Sequence, residues 1–196
     1  MRDLLFCQDN DKYPTDYVYN KLYKENVYEI DGVLQIFDNA GELNTIYKYL
    51  IKYDGLSNEA KAVMDEKIKD IEEKLLERVD TAISKGYKII SLADPLSSVE
   101  FLGKKGTKVY IDTILPELIY KLKNLCESND CILHLCPRLS VLLKSDENTK
   151  FKEIKLECSY NSLVEALLSN HEESITAFRC IHFRGKIDKI KAVRLD

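Results

Sequence analysis

The sequence is short of several things, and each shortage narrows the field. It holds 7 glycines and 4 prolines in 196 residues. That is too few for a loop-dominated or low-complexity chain, so a globular protein rich in helix is expected. No apolar run approaches the length needed to cross a bilayer, and the opening MRDLLFCQDNDK lacks the apolar core of a signal peptide. The expected setting is therefore the cytoplasm. Positive charge is not in excess: the net charge is −4 with both signs interspersed, which argues against nucleic acid and anionic membranes as partners. The six cysteines are scattered through a mid-sized chain, unlike the dense pattern of a disulfide scaffold, and are expected to be reduced.

What remains is 45% hydrophobic and 32% charged residues, enough for one domain over 1–196 with a real core. An N-terminal helix and strand or hairpin segment occupies 1–55, and a repeating portion fills 56–196. Eight of the twelve tyrosines fall between Tyr13 and Tyr53, which predicts an aromatic, half-exposed N-terminal surface.

Taken in order, Pro14 opens a helix over 14–25. VYEI and VLQIF flank Asp31-Gly32, which reads as a hairpin turn, with a single strand over Gly32–Phe37 as the competing reading. A helix over 41–53 follows. Ser57 then caps a helix from about 58 to 85, whose Met64, Ile68, Ile71, Leu75, Val79 and Ala82 step by three and four, and Gly86 stops it. From Tyr87 the pattern alternates. Strand 87–93 leads to a helix over 107–127 jogged at Pro116, strand 131–136, helix 138–145, strand 153–158, helix 160–170, strand 175–183 and helix 186–195. Four βα units predict a parallel sheet wound by helical crossovers.

In such folds chemistry sits at the carboxyl ends of the strands. Those ends carry Asp94, then His134 with Cys136, then Cys158, then Cys180 with His182. His134 and Cys136 stand two apart at the end of an apolar strand stopped by Pro137, so both side chains are expected on one face. An imidazole and a thiolate at that spacing suit zinc, and a packed histidine beside a small buried thiol is the plainer alternative. Cys126 and Cys131 are expected in the core, His171 and His182 at the surface.

The stretches Ile89-Ile90-Ser91-Leu92-Ala93-Asp94-Pro95 and Leu133-His134-Leu135-Cys136 resemble the uroporphyrinogen decarboxylase superfamily, nearest its corrinoid-dependent methyltransferases. The likeness covers roughly 41–196. It implies an α/β fold, a shortened TIM-like (β/α) barrel with about four C-terminal βα units. It implies zinc held by His134, Cys136 and Cys180, with Cys158 the weaker third candidate, and Asp94 as the catalytic carboxylate beside the metal. Arg138 would meet an acidic group of the cofactor, and a methylated corrinoid, here or on a partner protein, would give its methyl group to a zinc-bound thiol. Pro137-Arg138 replaces the family's Gly-Asn, and much of its N-terminal half is missing. Four units do not close an eight-stranded barrel. The resemblance thus offers two functions: a compact methyltransferase acting on a small thiol, or a degenerate fragment serving as a binding or regulatory subunit. The open sheet predicts a homodimer or a hetero-partner.

Overall fold

The computed structural model describes residues 16–144, 149–170 and 175–195. Its elements are α1 (Asp16–Asn26), β1 (Val27–Asp31), α2 (Val33–Asn39), α3 (Leu43–Lys52), α4 (Asn58–Ser84), β2 (Ile89–Ala93), α5 (Val99–Thr113), α6 (Leu115–Glu127), β3 (Ile132–Leu135), α7 (Pro137–Leu143), β4 (Thr149–Ser162), α8 (Leu163–Leu168), β5 (Ile175–Ala177) and β6 (Arg184–Leu195).

Local chemistry sets the helix boundaries. Ser57 Oγ accepts the Ala60 amide at 3.2 Å and caps α4, which ends before Gly86 at φ 96°. Ser98 caps α5 through the Phe101 amide. Ile114, in neither helix, separates α5 from α6 just before Pro116. Ser162 caps α8 while Glu165 returns a bond to the Asn161 amide, a reciprocal arrangement that holds a very short helix in place.

The strands form one six-stranded sheet in the order β1-β2-β3-β5-β6-β4. β1, β2, β3 and β5 are parallel, with Val27 opposite Ile89, Ile89 opposite Ile132, and Leu133 opposite Ile175. β6 runs antiparallel to both β5 and β4. Among the described residues the sheet is therefore mixed and open, with β1 and β4 at its two edges, and does not close as a barrel.

Four expectations are corrected. Asp31-Gly32 is not a hairpin turn: Gly32 has φ −75° and ψ 175°, outside the positive-φ geometry of a tight hairpin, and it leads into α2. Residues 184–195 form β6 rather than a closing helix, because Ile187, Ile190 and Ala192 pack against β4 and α8. The third unit is no βα unit joined to the parallel run, since β4 pairs with β6 at the far edge. Cys158 is disulfide-bonded, which departs from the reduced state expected of every cysteine, whereas Cys126, Cys131, Cys136 and Cys180 are free thiols. Cys7 and His171 lie outside the described residues.

Alternation along the strands divides the core in two. Ile30, Ile90, Leu92, Leu133, Leu135 and Ile175 point to one face and pack under α2 to α7. Val27, Ile89 and Ile132 point to the other, where α1, α8 and the β4–β6 ribbon cover them. Among the described residues no helix is long and apolar enough to cross a membrane.

Candidate functional site

The carboxyl ends of the parallel strands gather the chemistry, but on opposite faces. On the face covered by α2 to α7, Asp94 ends β2 fully buried. Its Oδ2 accepts the Leu34 amide of α2 and the Tyr110 hydroxyl of α5, both at 3.0 Å. One carboxylate thus fastens a strand end to two helices. Gly32 makes this possible, since a Cβ there would lie 2.5 Å from Asp94 Cβ. Burial raises the Asp94 carboxyl to about 6 against the pull of these donors, and Oδ1 is buried with no hydrogen-bond partner.

Cys136 lies beside it as the residue preceding α7, partly buried, its own amide donating to Leu92 O at 3.0 Å. Burial raises its thiol, the amides of Leu139, Asp94 and Arg138 oppose that, and the Asp94 charge adds to the rise. Asp94 and Cys136 are therefore neighbours. Glu100, in the first turn of α5, is held below its ordinary value by hydrogen bonds from its own amide and from Ser98, with a smaller contribution from the charge of Arg138.

His134 belongs to the other face. A carbonyl can only accept, so the Nε2–H donates to Arg179 O at 2.8 Å, and Nδ1 then accepts from the Ser91 hydroxyl at 3.0 Å. Both ring nitrogens are engaged within the protein. Burial lowers the imidazole to about 4, so the ring is neutral at physiological pH.

Strand register extends this pair into a row. Glu29 lies opposite Ser91, Ser91 opposite His134, and His134 opposite Thr176, all on the face of α1 and α8. Glu29 accepts from the Tyr23 hydroxyl and pairs with His182 Nε2 at 3.4 Å, while the His182 ring stacks on Tyr23 with centroids 5.0 Å apart. Cys180 is exposed on the adjoining loop, within electrostatic reach of Tyr19 and Tyr23.

The structure thus brings Asp94 and Cys136 together and sets His134 and Cys180 in different surroundings. Among the described residues no group of three or more His, Cys, Asp or Glu side chains is arranged to hold a metal ion. Sequence reading missed Ser91, Glu29, Thr176, Tyr110 and Gly32. The one signal was Glu29, a charge at the inward phase of an apolar strand; the rest depends on strand register.

Fold and site together define an α/β protein with an open, mixed six-stranded sheet and polar residues gathered at the carboxyl ends of its parallel strands. No protein family, no curated protein and no solved structure matches this chain.

Proposed function

We propose that the chain is a shortened relative of the β/α-barrel corrinoid methyltransferases and works as a binding or regulatory subunit rather than as the methyl-transferring enzyme. The observation that carries this reading is the engagement of His134: with Ser91 on one nitrogen and the Arg179 carbonyl on the other, the imidazole ties strands and loop together instead of offering a lone pair to zinc. The open sheet gives a second reason, because it lacks the closed wall that would enclose a corrin and a thiol. The partner in this reading is a corrinoid protein or its full-length methyltransferase.

Metal analysis of protein purified without chelator tests it. The expected result is far less than one zinc per chain, unchanged in Cys136→Ser and Cys180→Ser, with methylcobalamin losing its methyl group to a thiol no faster than in buffer. Addition of the chain to a corrinoid protein and its methyltransferase should change the turnover of that system. One zinc per chain, lost in both variants, together with thiol-dependent demethylation would instead support the enzyme, in which His134, Cys136 and Cys180 hold zinc and Asp94 attends the substrate. The observation favouring that second reading is the adjacency of Asp94 and Cys136 at the rim.

A further inference from the structure

Between α4 and the junction of α5 with α6 lies a cavity of about 310 Å³ that neither reading uses. Asp65, Ile68 and Glu72 line it from α4, and Ile114 and Glu117 line it from the junction and the first turn of α6. Glu72 is out of place by its chemistry. The buried stripe of α4 runs Met64, Ile68, Glu72, Leu75, Val79, so a carboxylate only 3% exposed occupies a row of apolar side chains. A charge so buried calls for partners. Its Oε2 accepts from Lys121 Nζ at 2.8 Å, which is its one hydrogen-bond partner among the described residues. Oε1 is thus unpaired on the cavity wall. Lys121 is also shared, lying 2.7 Å from Glu117, so two carboxylates draw on a single ammonium. Burial raises the Glu72 carboxyl against the pull of Lys121, and the Glu117 charge adds to the rise. Asp65, further along the wall, receives the Tyr49 hydroxyl on Oδ1 and has no ion pair among the described residues. The cation on the wall, Lys69, is 71% exposed and has Glu73 within 4.0 Å.

The cavity therefore holds two uncompensated negative charges, one shared by Glu72 and Glu117 and one at Asp65. Asp65 and Glu72 stand two turns apart on one face of α4, about 10 Å along its axis. One metal ion cannot bridge that span, because its oxygen ligands lie within roughly 2.6 Å of it. A flexible chain with a cation at each end can. We propose that the cavity binds a linear aliphatic diamine or polyamine. One ammonium donates to Glu72 Oε1, a second meets Asp65, and the methylene chain between them lies along Ile68, which falls between the two carboxylates, and Ile114. The inference is independent of the methyltransferase relationship, since it uses neither zinc nor corrin.

The test is equilibrium binding of 1,8-diaminooctane to the full-length protein at about 0.15 M ionic strength, set against octylamine, which has the same chain and a single ammonium. One diamine should bind per chain, and magnesium chloride at matched ionic strength should not displace it. Octylamine should bind about threefold more weakly, the size of an exposed ion pair. Asp65→Asn, a change at an exposed residue, should abolish that preference and leave the octylamine affinity unchanged. Glu72→Gln keeps the side-chain shape and should weaken both amines by roughly tenfold, as loss of a hydrogen bond to a charged group does. If Glu72→Gln does not fold, the Asp65→Asn comparison decides alone. Equal affinity for the two amines, displacement by magnesium, or a diamine preference that survives Asp65→Asn would show only a diffuse negative patch, and the proposal would fall. Absence of saturable binding would overturn it as well.

Discussion

The two faces of the sheet are built from the same strands yet are organised differently. Residues of one phase, Ile30, Ile90, Leu92, Leu133 and Leu135, are apolar to the strand ends and lie under six helices. Residues of the other phase are apolar in one row, Val27, Ile89 and Ile132, and then polar in the next, Glu29, Ser91, His134 and Thr176. On the first face Asp94 gathers the helices at the rim. On the second His134 gathers the loop after β5. Each face thus has one buried titratable clasp at the carboxyl end of the sheet, an acid on one side and a base on the other.

The largest effect should come from the first clasp. Gly32→Ala places a methyl group 2.5 Å from Asp94 Cβ and against the buried carboxylate itself, which its hydrogen bonds to Leu34 and Tyr110 hold in place. A loss of about 3 kcal/mol or more is expected from denaturant unfolding at constant m-value. An unchanged midpoint would show that α2 moves freely against β2.

The next effect separates the faces by pH. The folded pKa of His134 is depressed from 6.5 to about 4, so its contribution is present above 6.5 and is lost as pH falls through 4, a loss of at most roughly 3 kcal/mol. Asp94 is raised from 3.8 to about 6. Its contribution is present below 3.8 and is lost as pH rises through 6, by a similar amount at most. Between about pH 4 and 6 the two oppose each other, and the wild-type stability curve should be flatter than either alone. Asp94→Asn should uncover the acid-side loss due to His134, and His134→Gln should uncover the decline toward neutral pH due to Asp94. Thermal melts at half-unit pH steps check both. Parallel curves for the wild type and Asp94→Asn would mean that the Asp94 carboxyl does not titrate in this window.

Smaller still, Ser91→Ala leaves His134 Nδ1 without its donor and should lower stability by about 1–2 kcal/mol, without the steric component of Gly32→Ala. The smallest comparison sets cap against cap. Ser98→Ala before α5 and Ser162→Ala before α8 should each remove about 1 kcal/mol. A clearly larger loss at Ser162 would mean that the second face depends on α8 more than the first depends on the opening turn of α5, which breaks at Gly103 with φ 65°.

Much of the first face was legible in the sequence and little of the second. The i, i+3, i+4 stripe from Met64 to Ala82 and the Ser57 cap define α4 from local information alone. The apolar runs at Ile89 and Ile132 reveal buried strands in the same way. Register is not local. Nothing in the sequence near Ser91 says that it will face His134, or that Arg179 will present its carbonyl to the same ring. Residues 184–195 mislead for a related reason: their lysines and isoleucines are compatible with a helix, and pairing with β4 decides the matter. At Asp31-Gly32 the turn signal was real as chemistry but wrong in use, because the missing side chain serves a close approach to Asp94 rather than a reversal of the chain. At Cys136 the period-two rule stopped applying where β3 ends at Leu135, which is why the His134–Cys136 spacing did not place both side chains in one environment.

The parallel pairing of β1 with β2 bears on how the chain acquires its shape. Val27 meets Ile89 only after α2, α3 and α4 have been laid between them, so closing that contact requires ordering a long intervening segment before any ladder bond forms. During synthesis β1 emerges well ahead of its partner and waits with its backbone groups open to water or to other chains. Maturation should therefore be gated by the late arrival of β2, with α4, already structured by its own cap and stripe, acting as the strut that brings the two strands within reach.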